Sequence, residues 1–312
     1  MSELRLILLC SSRFAIPAMR HLLFFKQLGL IAIPSHCEEL IAETRAIITE
    51  TDIPLLIVNR SNFEEELISA IGAGNITAGL ILSFSFILPQ SVYNLPPGGF
   101  FNVHPGPLPE YRGADPVFQQ IKNREKFAGV TIHKLADGPD TGAIVIRQMI
   151  PLDAGDNYGI LDAKLAQLAV KLVAVLIKLI DFGFTVPSRP QDESKAHYYE
   201  RQFASDISID WQKMDADTII ALINACNPWN KGAVTRFADR IIRLADAQKI
   251  ENDEAGQIVP GTILSIDDEG MIVSTINGEA LLLSIIYVDE GIFLAGRLRQ
   301  FGVRKGMLLE KC

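Results

Sequence analysis

The chain is poor in cysteine. Its four, Cys10, Cys37, Cys226 and Cys312, are spread with no C-x-x-C pair, which argues against a disulfide framework or a cysteine-rich zinc site. Long hydrophobic runs are missing as well. The most apolar long segment, Leu165 to Ile180, is interrupted by Lys171 and Lys178. It reads as an amphipathic helix, because a membrane span needs about 18 uninterrupted apolar residues. The run from Leu6 to Cys10 is too short for a signal-peptide core, so the cytoplasm is the expected location, with no membrane partner. Positive charge is in deficit: 29 Lys and Arg stand against 37 Asp and Glu, a formal net of −8. That balance argues against coating nucleic acid or anionic membrane by bulk charge. The first apolar run leads into Cys10-Ser11-Ser12-Arg13 rather than a G-x-G-x-x-G turn, and no G-x-x-x-x-G-K-[ST] occurs anywhere. Nucleotide binding through either phosphate loop is therefore unsupported.

What is present points to a folded globular chain of ordinary composition. A length of 312 residues suggests about two domains, each able to bury a core. Apolar residues at 48% and charged residues at 21% fit a folded globular chain. The first half alternates apolar runs (Leu4 to Leu9, Leu30 to Ile33, Leu55 to Val58, Ala78 to Phe86) with helical spacings (Phe14 to Gln27, Glu38 to Glu50, Phe63 to Ile71). That order predicts an α/β fold: a Rossmann-like, mostly parallel sheet with helices on both faces and right-handed crossovers. Ligands of such sheets sit beyond the carboxyl ends of the strands.

From Phe100 the pattern changes. Phe100 to Val103 reads as a short strand ending in a Pro/Gly-rich loop, and Val130 to Leu135 with Ala143 to Ile150 as two strands joined at the sheet edge. Asn157 to Phe182 reads as a long helix. Residues 1–184 are expected to form the catalytic domain. The polar, proline-bearing stretch 185–205 is expected to be a linker. Residues 206–312 carry a helix, Asp217 to Ala225, and short strands about ten residues apart, which predict a small β-barrel-like domain.

One stretch stands apart: Asn102-Val-His104-Pro-Gly-Pro-Leu-Pro109-Glu-Tyr-Arg112-Gly113. Residues i and i+2 of a strand share a face, so an amide and an imidazole project together from a carboxyl end. A second stretch, Gly129-Val-Thr-Ile-His133-Lys-Leu-Ala-Asp137-Gly-Pro-Asp140-Thr141-Gly142, adds a carboxylate in a tight loop, 38 residues beyond Asn102. Taken singly, each also reads as turn chemistry. His133 reads first as a packing or hydrogen-bonding residue.

Together these segments resemble the folate-dependent formyltransferase superfamily, specifically its methionyl-tRNA formyltransferase branch, with N-x-H-P-S-L-L-P-x-x-R-G, then G-V-T-I-H/M, then a D-T-G loop. Ile209-Asp210-Trp211, Asn227-Pro228-Trp229 and Pro260-Gly261-Thr262-Ile263-Leu264 resemble the second domain of that branch, which would be OB-like. The resemblance implies N10-formyltetrahydrofolate as formyl donor, a primary amine as acceptor and no metal. It places the catalytic triad at Asn102, His104 and Asp140. Folate would contact Phe84, Ser85, Phe86, Ile87 and Leu88, and also Ala136, Asp137, Gly138 and Pro139. Arg112 and Gly113 would belong to the substrate site.

The sequence departs from that pattern at Gly106, Pro107 and Ser85, where the branch has Ser, Leu and Gly. The larger departure follows the second strand. The branch carries a long basic loop there that engages tRNA, whereas here Ile33-Pro34-Ser35-His36-Cys37-Glu38-Glu39 passes almost directly into a helix. Asp206 to Cys312 holds 11 basic and 16 acidic residues, a net of −5. Methionyl-tRNA therefore competes as acceptor with an amino group on a nucleotide-linked sugar or another small amine. Water, which would make the protein a formyltetrahydrofolate hydrolase, is a third reading, and a non-catalytic folate-binding module is the alternative from another class.

Overall fold

The computed structural model describes residues 4–181, 186–252 and 255–312. Within them the chain divides into two compact units. One comprises Met1–Gly113, Ala128–Ile150 and Asp162–Tyr199; the other comprises Ala114–Phe127, Pro151–Leu161 and Glu200–Cys312. The expected boundary between 184 and 185, and the end of the long helix at Phe182, lie outside the described residues.

The first unit is built on a seven-stranded sheet. Its strands are β1 (Leu6–Cys10), β2 (Leu28–Pro34), β3 (Leu55–Val58), β4 (Ala78–Leu82), β5 (Phe100–His104), β7 (Phe127–Lys134) and β8 (Ile144–Pro151). Their order is β3-β2-β1-β4-β5-β7-β8. The first five run parallel and β7 is antiparallel to β5. All five side chains of β1 are fully buried, which is why its sequence is an unbroken apolar run rather than an alternation. The helices α1 (Ile16–Phe24), α2 (Glu38–Ile48), α3 (Phe63–Ala73), α4 (Gln90–Tyr93) and α6 (Tyr158–Asp181) fall between or after the strands. In α2, Leu40, Ile41, Thr44 and Ile48 form the buried face, the spacing expected of an amphipathic helix.

Two details position the site. Strand order changes direction between β1 and β4, and there the loops after them meet: Ser85 N–H donates to Ser11 Oγ at 2.8 Å. The run expected to continue to Phe86 stops at Leu82 because Ser83 turns the chain, with φ +59°. The stretch expected to be a linker is partly paired into this unit. Arg189 bridges Ile144, and β9 (Tyr198–Tyr199) lies parallel to β6 (Arg112–Gly113).

The second unit holds α5 (Pro116–Lys122), a short helix with proline in its first turn that the apolar spacing did not reveal, and α7 (Ala216–Cys226), capped by Asp215 accepting from Thr218 N–H at 2.7 Å. Six antiparallel strands follow: β10 (Ala233–Phe237), β11 (Arg240–Ile250), β12 (Ile263–Ile266), β13 (Met271–Ser274), β14 (Ala280–Val288) and β15 (Gly291–Leu294). The order is β10-β11-β14-β13-β12, with β15 on β14. The C-terminal segment closes this sheet. Glu310 bridges Arg236 of β10, and Leu308 bridges Thr262 beside β12. Full closure removes the exposed edges that a short open sheet would present. Trp211 is buried beneath the closure, its indole N–H on Thr235 Oγ1 at 2.9 Å.

Leu309 is the buried side chain of the closing segment. Leu309→Ala is expected to destabilise the second unit by about 2–5 kcal/mol, the range for buried Leu→Ala. Denaturant unfolding followed by fluorescence checks it, and an unchanged midpoint contradicts a structural role for the tail.

Candidate active site

Strand β5 delivers two polar side chains at its carboxyl end. Asn102 is partly buried and His104 almost fully buried. Both lie opposite β7, in register with His133 and Thr131 respectively. Thr131 ties the proline-rich loop to that strand: its hydroxyl donates to Gly106 O at 2.8 Å and accepts Leu108 N–H at 3.1 Å. The loop Ala136 to Gly142 then returns Asp140 to the end of β5.

Asp140 is where these elements converge. Its Oδ1 accepts an N–H of Asn102 at 3.1 Å, and its Oδ2 accepts Gly113 N–H at 3.0 Å. Oδ1 also lies 3.5 Å from His104 Nδ1 and 3.4 Å from His133 Nε2. Burial opposes ionisation of this carboxyl. The facing imidazoles, the His133 contact and the Gly113 N–H outweigh it and hold Asp140 well below the usual carboxylate range. Burial pushes His104 the other way, below the ordinary imidazole value of 6.5, and the Asp140 charge offsets this only in part. His104 is thereby held toward its neutral form, not the protonated form that would donate directly to an oxyanion.

The backbone sets both tautomers. His104 Nε2 meets Tyr111 O at 2.6 Å and His133 Nδ1 meets Lys134 O at 2.8 Å. A carbonyl oxygen can only accept, so each of those nitrogens carries the ring proton. His104 Nδ1 and His133 Nε2 are the ring nitrogens that face Asp140. Asn102 Nδ2 also lies 3.1 Å from His133 Nε2. The carboxylate can only accept from that NH₂, which fixes the amide orientation with Oδ1 turned away from Asp140.

Two positions need a missing Cβ. A Cβ on Gly142 would lie 1.6 Å from Lys134 O, and one on Gly113 would lie 2.2 Å from Tyr199 O. The close approach at each keeps the Asp140 loop and the Gly113 N–H in place. Asp140 itself sits in the left-handed region, at φ +55°, an uncommon conformation for a residue with a side chain.

The remaining expected site residues fall in two groups. Phe84 and Phe86 are half-buried with ring centroids 5.4 Å apart, Ser85 and Ile87 are exposed and Leu88 is buried. Ala136 and Pro139 are exposed and Gly138 is partly buried. Asp137 accepts from Gln90 Nε2 at 2.5 Å and from Tyr93 Oη at 2.8 Å, which ties that loop to α4. The guanidinium of Arg112 is buried and donates to Gln191 Oε1 and bidentately to the carboxylate of Glu193, at 2.7 to 3.1 Å. Gln191 in turn donates its two amide hydrogens to Asp140 O at 2.7 Å and Gly142 O at 2.8 Å. Neither Gln191 nor Glu193 was marked by the sequence, since both lie in the polar stretch that reads as a linker. His133, by contrast, stood in a motif, and its place beside Asn102 and Asp140 makes it part of the cluster. Among the described residues, no group of three His, Cys, Asp or Glu could hold a metal ion, and no helix is long and apolar enough to cross a membrane.

Comparison with known proteins gives this arrangement a family. The Formyl transferase profile matches residues 33–177, and that of the Formyl transferase C-terminal domain matches residues 203–292. A methionyl-tRNA formyltransferase of Dictyoglomus turgidum is 35% identical over 237 residues, 75% of this chain and 74% of that protein. One from Delftia acidovorans is 31% identical over 244 residues, 78% of this chain and 73% of that protein. Among solved structures, HypX from Aquifex aeolicus in complex with tetrahydrofolic acid has a TM-score of 0.65 at 18% identity, covering 96% of this chain and 48% of that one. The N-formyltransferase from Helicobacter canadensis, in complex with folinic acid and dTDP-3-aminofucose, has a TM-score of 0.66 at 17% identity, covering 90% and 98%. At that identity the two structures speak for the fold, whereas the similarity to the D. turgidum protein reaches across three quarters of the chain, which therefore belongs to the formyl transferase family of one-carbon transferases.

Proposed function

We propose that the chain moves a formyl group from N10-formyltetrahydrofolate to a primary amine, with Asn102, His104 and Asp140 at the reacting centre. The observation that carries this reading is the convergence of all three at one carboxylate oxygen at the end of β5. The amine nitrogen attacks the formyl carbon, the carbonyl oxygen becomes an oxyanion, and the bond from carbon to N10 then breaks. One proton leaves the amine and one arrives at N10, so no net proton is consumed. Ionised Asp140 accepts the first, directly or through a water. His104 Nδ1, which lies 3.5 Å from Asp140 Oδ1, shares that proton and returns it toward N10. Asn102 Oδ1 accepts a remaining N–H of the amine. Once Asp140 is neutralised, its hold on the Asn102 N–H weakens, and that N–H can turn to the oxyanion. The flat ring of the folate would rest against Phe84 and Phe86, with Ala136 to Pro139 supplying backbone groups. The A. aeolicus neighbour, in complex with tetrahydrofolic acid, supports a folate at this site.

For the acceptor we favour an amine held without a run of phosphate contacts. Only Ser35-His36-Cys37 separates β2 from α2, so this connection offers no basic loop, and Asp206 to Cys312 is net −5. A sugar-linked amino group fits this description, as in the H. canadensis neighbour. Methionyl-tRNA is the second reading, supported by the names of the curated relatives. The deciding experiment incubates the protein with N10-formyltetrahydrofolate and, separately, methionyl-tRNA, a dTDP-linked amino sugar, methionine methyl ester or buffer alone, and identifies the products by mass. Formate released at the same rate in every tube would indicate hydrolysis. Donor binding with no turnover would indicate a binding module.

His104→Ala and Asp140→Asn are each expected to lower kcat by about 10²-fold or more, within the range for acid–base groups, with an unchanged circular dichroism spectrum. Near-normal rates in both would sink the assignment. Burial of His104 predicts that its ring stays neutral down to a pH below 6.5; an NMR titration of the imidazole checks this, and a midpoint at or above 6.5 contradicts it. If the acceptor is a small amine, its apparent KM is expected to change less than about threefold between 50 and 200 mM salt, since a ligand making several phosphate contacts loses far more. Efficient formylation of methionyl-tRNA, with KM rising tenfold or more over that interval, would favour the second reading.

A further inference from the structure

Gln191 sits in the stretch 186–199, outside every motif of the reaction, yet its amide donates to two backbone carbonyls of the loop that carries Asp140. We propose that Gln191 is a positioning residue for formyl transfer, holding the backbone on both sides of Thr141 so that the Asp140 carboxylate meets Asn102 and the two imidazoles. The inference rests on Asp140 being catalytic, as proposed above.

The geometry leaves Gln191 one orientation. Its Oε1 lies 3.1 Å from Arg112 Nε and 2.9 Å from Arg112 Nη2, and a guanidinium has only donors. Its Nε2 lies 2.7 Å from Asp140 O and 2.8 Å from Gly142 O, which can only accept. Every polar atom of the amide is matched, and a flipped amide would oppose donor to donor and acceptor to acceptor. Arg112 is fixed in turn by the bidentate pair with Glu193, and the next residue, Gly113, donates its N–H to Asp140 Oδ2. Asp140 is thus gripped twice through one short strand, at the carboxylate by Gly113 and at the backbone by the Arg112–Gln191 pair.

The loop needs such a grip. Asp140 occupies a left-handed backbone conformation, and such conformations persist where surrounding contacts over-determine them. Two adjacent carbonyls pointing at one side chain provide that constraint. Without the amide donor, both carbonyls lose their partner and the loop can relax, shifting the carboxylate from Asn102 and His104. A displacement of about 1 Å in a catalytic group can cost on the order of 100-fold in rate.

Gln191→Leu keeps the volume and removes the donors. Gln191→Glu keeps the shape and turns a carboxylate toward two carbonyls. With N10-formyltetrahydrofolate as donor and the fastest amine of the panel above, both are expected to lower kcat roughly 10- to 100-fold, with the donor KM changed less than about threefold. The decisive readout is the double variant. Because Gln191 acts through Asp140, Gln191→Leu is expected to cost nothing further in single-turnover rate when Asp140 is already Asn, a non-additivity that a purely structural role would not produce. Equal losses in both backgrounds, an effect confined to KM, or no loss in the wild-type background would each overturn the proposal. If Gln191→Leu does not fold, Gln191→Glu carries the same cycle. If Asp140→Asn alone is fully active, the reading of the active site fails, and that outcome is visible independently of any Gln191 variant.

Discussion

The polar cluster at the end of β5 is organised around one partly buried carboxylate, Asp140. Asp140 is held ionised in a place where desolvation works against charge. A carboxylate in that position costs several kcal/mol unless its oxygens are matched. Two hydrogen bonds supply that match, from Asn102 at the end of β5 and from the Gly113 N–H in β6, and the rings of His104 on β5 and His133 on β7 face the same carboxylate. Satisfying one charge thus fixes the mutual placement of two sheet strands and two loops. The same requirement accounts for the glycines, since a side chain at position 113 or 142 would push the donor or the acceptor out of register.

The groups proposed to react depend on backbone carbonyls as much as on each other. Tyr111 O and Lys134 O each accept a hydrogen bond from one imidazole, which leaves His104 Nδ1 and His133 Nε2 as the nitrogens that face Asp140. The carbonyl of Tyr111 belongs to the proline-rich loop, and Thr131 pins that loop through Gly106 and Leu108. Gly106 and Pro107 stand where the resembled pattern has Ser and Leu. The contacts there run through the backbone of the loop, which explains why such changes leave the imidazole's setting intact.

Much of this was legible in the sequence, and the reasons differ by element. The parallel sheet showed itself because fully buried strands such as β1 need unbroken apolar runs. Asn102 and His104 could be paired by strand period alone, and the 38-residue spacing to Asp140 placed the third group through its motif. The grip on Asp140 from Gln191 was not legible. It depends on an amide whose role is set entirely by long-range neighbours, in a stretch whose prolines and charges signal only the absence of regular structure. The helix α5 was hidden for another reason: seven residues give too few turns for a period to register. The tail that closes the second unit is likewise a pairing between distant segments, with no local pattern to announce it.

The sheet also separates the chemistry from the choice of acceptor. The order β2-β1-β4-β5 puts three strand spacings between the β2–α2 connection and the end of β5, roughly 14 Å at about 4.8 Å per step. A loop inserted after β2 could therefore reach over an acceptor without touching Asn102, His104 or Asp140, and its loss would leave them undisturbed. The carboxylate cluster, by contrast, draws on β5, β6, β7 and the loop after β7, all to one side of that connection. On the proposed assignment, a change there alters the transfer step for every acceptor alike. Shortening the β2–α2 connection to three residues is therefore compatible with an intact reacting centre, and acceptor choice has to be argued from that connection and from the charge of the second unit.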